Sequence, residues 1–522
     1  MHWARWGDPA EAAPLPESTR GLVELAFGAP DPDLSGELSD VRLPEVVLDA
    51  TLLSELRDVV GAEHVDTSHE ARVRHTRGRS TPDLLRLRHG DGADAPDVVV
   101  RPGDHDAVQA VVSWCSERRV ALVPFGGGTS VVGGLVARRD GFSGVLALDL
   151  GRLDRLIGVD SESRTAELQA GLLGPEAEAA LAEHGFVLGH YPQSFEYASV
   201  GGFAATRSSG QASAGYGRFD AMVTGLTVAT PRGTWTLGRG PSSAAGPDLR
   251  QLVLGSEGAF GVITSVVVRV RPVPEATAYD GWRFGSFAEG VAALRSLVQA
   301  GEAPTVLRLS DETETAVNLA DPDAVGGGSA GGVLVVTGHE GAADAVASSR
   351  ALVAARLTAL GGTALGEDPG RAWLRGRFHG PYLRDSLLDA GVLVETLETA
   401  TSWSRLLDVH AAASAALQQS LDGGSPLVLC HVSHVYPTGA SLYFTVAARQ
   451  GEDPLAQWEA AKRAATHALV AAGATITHHH AVGRDHQPWL ADEIGELGVD
   501  VLRAVKDRLD PQGVCNPGVL VP

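Results

Sequence analysis

Pro124-Phe125-Gly126-Gly127-Gly128-Thr129-Ser130-Val131 follows directly on the apolar run Ala121-Leu122-Val123. The run reads as a buried strand. Three successive glycines after a strand let the backbone come close to a bound anion and aim N–H groups at it. Thr129 and Ser130 add hydroxyl donors. The spacing is neither GxGxxG nor GxxxxGK followed by Ser or Thr, so the Rossmann and P-loop readings fit poorly. The stretch reads as a cradle for a flavin or nucleotide pyrophosphate. A glycine turn without a ligand would look the same in isolation, so the reading rests on its surroundings.

Outward from the loop, Asp97–Arg101 reads as a short buried strand. Pro102-Gly103-Asp104 then turns into a helix whose apolar positions Val108, Val111, Val112 and Cys115 follow helical spacing. Val145–Leu150 is a further strand, which makes a βαβ unit. A second unit has a strand at Thr165–Gln169 and a helix from Gly174-Pro175 to His184, with Pro where a missing donor is harmless. Strands follow at Val223–Ala229, Thr234–Leu237 and Gly261–Arg269. After about residue 276, strand candidates Val333–Thr337 and Leu442–Ala447 alternate with helix candidates 342–360, 403–419 and 455–472. That alternation suggests an antiparallel sheet covered on one side. Gly326–Gly332 reads as a flexible loop. The expected organisation is α+β: a partly helical extension (1–94), an α/β ligand-binding domain (95–275) and a cap domain (276–522).

Two more small-residue segments accompany the loop: Ser199-Val200-Gly201-Gly202-Phe203-Ala204-Ala205-Thr206-Arg207-Ser208-Ser209-Gly210, and Gly255-Ser256-Glu257-Gly258-Ala259-Phe260-Gly261-Val262-Ile263-Thr264. Small side chains suit a backbone laid against a large planar ligand. The three motifs together resemble the FAD-binding domain of the vanillyl-alcohol-oxidase or PCMH superfamily, in which two subdomains hold FAD between them. The resemblance implies non-covalent FAD contacts from Pro124, Gly126, Gly127, Gly128, Thr129, Ser130, Gln193, Ser194, Ser199, Gly201, Gly202, Thr206, Gly210, Glu257, Gly261 and Ile263.

Within that superfamily the chain looks most like the alkylglycerone-phosphate synthase family. The resemblance is carried by His190-Tyr191-Pro192-Gln193-Ser194-Phe195-Glu196, Leu307-Arg308-Leu309-Ser310-Asp311, Tyr382-Leu383-Arg384-Asp385, the segment Ser433–Phe444, and Thr477-His478-His479-His480-Ala481-Val482-Gly483-Arg484. It implies exchange of the acyl group of acyl-dihydroxyacetone phosphate for a fatty alcohol, through a flavin N5 adduct and with no net oxidation. The exchange needs an acid/base for the C1 proton, a donor for the leaving carboxylate, and Arg for the phosphate. His479 and His480 are expected to face the flavin, with His478 beside them. Tyr443 is the candidate hydroxyl. Arg308 is the first candidate anion anchor and Arg384 the second, with Asp311 and Asp385 as salt-bridge partners if their role is only structural. His434 is a further candidate for substrate binding.

The nearest rival is an FAD-dependent D-2-hydroxyacid dehydrogenase or related FAD-linked oxidase. That group carries a His pair and a Glu that bind a divalent metal. Here His434 could be the first His, but Tyr443 and His479 stand where the other two ligands belong, so no metal is expected. The 42 basic and 64 acidic side chains, net −22, argue against nucleic acid as a partner. Cys115, Cys430 and Cys515 form no CxxC motif, and Cys115 reads as core. The start shows no apolar signal-peptide region, and no stretch reaches the ~18 to 20 apolar residues of a membrane span, so a cytoplasmic protein is expected. By analogy the family reading allows a homodimer and peripheral contact with a membrane.

Overall fold

The computed structural model describes residues 1–11, 15, 17–28, 36–136, 138–318, 325, 331–421 and 425–522. Residues 326–330 of the expected flexible loop lie outside the described residues. The triple-glycine loop leaves the end of the strand Val120–Phe125. That strand pairs in parallel with Gly144–Asp149, which pairs in parallel with Val98–Val100. The helix His105–Arg118 makes the crossover, and its N-terminus is capped by the Asp104 side chain on the Ala107 amide. A second, five-stranded antiparallel sheet has the order Leu156–Asp160, Thr165–Gln169, Val262–Arg269, Val223–Thr230, Gly233–Leu237. One apolar core joins both sheets, including Val108, Val112 and Cys115 from the crossover helix.

The third large sheet is antiparallel throughout. Its strand path is Thr363–Gly366, Ala276–Phe284, Val333–Gly341, Val306–Ser310, Leu427–Val432, Gly439–Arg449 and Val392–Ser402. The helices observed at Ala343–Ala359, Leu406–Ser420 and Pro454–Ala471 differ from the sequence expectation by one to three residues at their ends, where helices fray.

Strand periodicity divides this sheet into two faces. Leu442, Phe444, Val446 and Ala448 are buried with Val428, Cys430 and Val432 under the covering helices. The alternate residues Tyr443, Thr445 and Ala447, with Leu427, Leu429 and His431, line a cavity on the opposite face. Register places Ser310 opposite His431, His431 opposite Tyr443, and Tyr443 opposite Glu398, so four adjacent strands contribute one polar row.

The described residues of the first 94 pack against both of the other units. Their helices are Glu17–Phe27, Ala50–Val60, His69–Arg74 and Thr81–Arg88. Val23 and Phe27 pack on Val392 and Val394 of the large sheet, while Leu56 joins the core of the first two sheets.

The two-face arrangement has a measurable consequence. Phe444 is fully buried, so Phe444→Ala should destabilise the protein by about 3–5 kcal/mol. Thr445→Ala, on the cavity side, should cost less than about 1 kcal/mol. Thermal unfolding of the two variants checks the difference.

Candidate active site

A cavity of about 400 Å³ runs from the glycine loop to the polar row of the large sheet. Its lining includes Pro124, Gly126, Gly127, Gly128, Thr129, Ser130, Gln193, Ser194, Ser199, Gly201, Gly202, Thr206, Glu257, Gly261 and Ile263. Gly210 is outside that lining: its carbonyl accepts a hydrogen bond from His434 Nε2 at 2.9 Å. The cradle is tightly built. A Cβ on Gly127 would lie 1.6 Å from the Tyr197 carbonyl oxygen, and Gly128 has φ +71°. Ser199 caps the helix Val200–Thr206 by accepting from the Gly202 amide at 3.2 Å. The Ser130 and Ser209 hydroxyls are buried without a partner, as is Gln211 Oε1. All three residues line the cavity. Orphaned polar groups beside small-residue loops fit a polar, planar dinucleotide such as FAD.

Glu257 has φ +50° and ties the cradle to the histidine segment. Its Oε2 accepts from the Gly483 amide at 2.6 Å. Burial lifts its carboxyl to about 8, against the pull of the Gly483 and Val482 amides.

On the cap side, Tyr443, His479, His480, His431, Arg308 and Arg384 line the cavity. The Tyr443 ring stacks between His431 (centroids 5.0 Å apart) and His479 (5.9 Å), with His480 edge-on at 5.7 Å. Burial pushes the Tyr443 hydroxyl up to about 12. His478 points away from this group. Its Nε2 lies 2.6 Å from the Tyr436 hydroxyl and its Nδ1 lies 3.0 Å from His479 Nδ1. If His478 donates from Nε2 to the Tyr436 hydroxyl, its Nδ1 accepts from the Nδ1–H of His479, which leaves His479 Nε2 unprotonated. His478 and His479 are thereby linked in series, and His479 and His480 line the cavity.

The sequence reading missed Glu398, whose carboxylate organises this trio. It is fully buried and accepts from the Thr477 hydroxyl (2.6 Å) and from the backbone amides of His478 (2.5 Å), His479 (3.2 Å) and His480 (2.9 Å). Its oxygens also lie 3.7 Å from the Nδ1 atoms of His479 and His480. Burial opposes its charge, but the imidazoles and the Thr477 hydroxyl outweigh burial and hold the carboxyl well below the usual range. Burial in turn favours neutral imidazoles, lowering His478 to about 4 and His479 well below its ordinary value, against the pull of Glu398. Its donors begin 79 residues further along the chain. Such a partnership leaves no local sequence pattern, so Glu398 could not be singled out in advance.

The two expected anion anchors differ. Arg308 does not pair with Asp311. Its Nη2 meets Glu314 Oε1 at 2.5 Å and His431 Nδ1 at 3.0 Å, while its Nε is buried without a partner. Asp311 instead caps the helix Glu312–Val317. The difference follows from the turn after the strand, which puts Glu314, six residues on, beside the guanidinium. Arg384 pairs with Asp385 through Nε and Nη2 and donates from Nη1 to the Arg79 carbonyl, so all three of its nitrogens are engaged.

His434, His478 and His479 each bring one ring nitrogen within 4.8 Å of the others. His434 does not line the cavity. Its Nε2 donates to Gly210, and its Nδ1 faces the Ser433 and Ser441 hydroxyls. These contacts satisfy both of its nitrogens without an ion.

The sequence profile described as FAD binding domain matches residues 96–237, and that of the C-terminal domain of FAD linked oxidases matches residues 273–520. An alkyldihydroxyacetonephosphate synthase from Dictyostelium discoideum is 32% identical, covering 98% of this chain and 88% of its own. One from Trypanosoma brucei brucei is 32% identical, covering 100% and 92%. A crystal structure of an alkyldihydroxyacetonephosphate synthase superposes with a TM-score of 0.85 at 28% identity, covering 99% of this chain and 98% of that one. Among the described residues no helix is long and apolar enough to cross a membrane.

His190, in the segment leading to the cradle, is fully buried between Phe203 and Phe219. Burial lowers it to about 3. The folded value lies below the unfolded value of 6.5, so the unfolded chain binds the extra proton. The stability this group contributes is therefore complete above about pH 6.5 and is lost as pH falls toward 3. Replacing it, as in His190→Phe, should remove about one proton from the uptake on unfolding, seen as a shallower fall of Tm between about pH 6.5 and 4.

Proposed function

Because the chain belongs to the alkyldihydroxyacetonephosphate synthase family, we propose that it is an FAD-dependent alkyl transferase that exchanges the acyl group of acyl-dihydroxyacetone phosphate for a fatty alcohol, making an ether lipid without net oxidation. One observation carries the reading. A single cavity joins the flavin cradle, the tyrosine–histidine group and an apolar arm that includes Leu22, Phe27, Leu387, Val392 and Leu427. Such an arm matches a long alkyl chain, whereas a small 2-hydroxyacid would not use it.

The fifteen lining residues of the cradle would hold FAD, with Gly126–Ser130 at its pyrophosphate. When bound, FAD supplies the electron-accepting ring that makes exchange at C1 possible. The remaining demands fall on side chains of this chain. His479, kept neutral by burial, takes the C1 proton and later returns it. Glu398 stabilises the imidazolium that forms and fixes the ring, as the carboxylate of a triad does. His480 shares the same carboxylate. His478 and Tyr436 extend the proton path behind His479. The Tyr443 hydroxyl, still protonated at neutral pH, donates to the departing carboxylate. Arg308, which keeps a free Nε, is the better anion anchor, because every nitrogen of Arg384 already donates to an acceptor.

The test is to mix the yellow holoprotein with acyl-dihydroxyacetone phosphate and a fatty alcohol. Ether product without oxygen consumption is expected, and flavin bleaching by D-lactate with no ether product would overturn the reading. Tyr443→Phe and His479→Ala should keep the flavin spectrum yet lose roughly 100-fold or more in turnover. Glu398→Gln should lose on the order of 100-fold and move the acid limb of the kcat/KM profile to lower pH, since removing the carboxylate lowers the imidazole pKa.

A further inference from the structure

We propose that Arg79 binds phosphate, and that its guanidinium neutralises the pyrophosphate of the bound FAD; the inference rests on the cofactor reading above. Four arginines line the cavity. Arg308 and Arg384 face carboxylates. Arg377 is half-buried, with its guanidinium over the Tyr191 and Phe378 rings at 4.6 and 4.8 Å. Arg79 is 2% exposed, and among the described residues no carboxylate forms an ion pair with it. It donates from Nη1 to the Gly78 carbonyl (2.8 Å) and from Nη2 to the His2 carbonyl (3.0 Å), which leaves its Nε buried and unpartnered. Burial lowers it to about 10, which still leaves it charged at neutral pH. Asp83 and Asp385 lie close enough to offset only part of that burial, and an enclosed cation without an ion-pair partner is costly unless an anion joins it.

Its position identifies the anion. The Arg79 amide donates to the Ser130 carbonyl at 2.7 Å. A Cβ on Gly78 would lie 1.9 Å from the same oxygen, so only glycine allows the two segments to meet this closely. The Ser130 hydroxyl is itself buried without a partner. The Arg79 backbone therefore sits against the glycine loop at Ser130, and its side chain lines the same cavity as that loop. The loop, Pro124–Val136, contains no Lys or Arg. Its N–H and hydroxyl groups can orient a pyrophosphate but cannot cancel its charge. Arg79 supplies that charge from outside the region that matches the FAD binding profile, residues 96–237.

The experiment titrates the full-length apoprotein with FAD and with riboflavin, which has no phosphate, following flavin fluorescence. Arg79→Gln should weaken FAD binding about 10- to 100-fold and leave riboflavin binding unchanged. Arg79→Lys should stay within about 5-fold of the wild type for FAD. At saturating FAD, the KM for the phosphorylated substrate should not move. Unchanged FAD affinity in folded Arg79→Gln overturns the proposal. So does an equal loss for riboflavin, which indicates a purely structural role, and so does a rise in that KM alone, which places the substrate's phosphate on Arg79. Should Arg79→Gln not fold, inorganic pyrophosphate is added to the wild-type and Arg79→Lys apoproteins. It should raise the Tm of the wild type more than that of the variant, and no shift in the wild type overturns the proposal. Failure of the wild-type apoprotein to bind FAD at all would instead reject the cofactor reading.

Discussion

A fully buried carboxylate, held by hydroxyl and amide donors and not by a Lys or Arg, keeps the catalytic half of this molecule together. Glu398 sits on a strand of the cap sheet and collects one hydroxyl and three successive backbone amides from residues 477–480. Those donors make the buried charge tolerable. In return they fix the backbone of three histidines, so that two rings face the cavity and the third faces Tyr436. Because Glu398 is the register partner of Tyr443, the same residue sets the distance between the tyrosine and the histidines. An error of one residue in strand pairing would turn Tyr443 into the helix-covered core and bring Phe444 to the cavity.

The two halves of the cavity are joined by equally specific contacts. Glu257 reaches from the cradle to the Gly483 amide. Asn516 donates from Nδ2 to the Gly134 and Glu257 carbonyls, and its amide donates to Leu122, on the strand that feeds the glycine loop. The end of the cap segment thus returns to the first sheet. The N-terminal segment closes another side, through Trp6 on Asp385 and through Gly78 against Ser130. Segments distant in sequence therefore form one wall, and the chemistry depends on their joint placement.

Electrostatics separate the two ends. The cradle end offers neutral N–H and hydroxyl groups together with the buried Arg79 cation. The cap end offers imidazoles that burial keeps neutral, beside a carboxylate that stays ionised. Neutral imidazoles next to a fixed negative charge are suited to accepting a proton. The cradle end thus presents donors and a cation, and the cap end sets proton-accepting imidazoles beside Arg308.

What was legible in the amino-acid sequence was whatever is encoded locally. Three glycine-rich segments marked the cradle, since only small residues permit such close backbone approach. Alternation and helical spacing located most strands and helices, because side-chain burial repeats every ~2 or ~3.6 residues. The His-His-His run and Tyr443 stood out as reactive groups. Tertiary structure alone decided which of them meet. It gave Arg308 to Glu314 and not to Asp311, took His434 and Gly210 out of the cavity, and brought in Glu398 and Arg79 from strands and loops far along the chain. The reason is physical: residue type and period follow from neighbours in the chain, but the partner of a buried charge is chosen by strand register and loop docking, which bring together groups far apart in sequence.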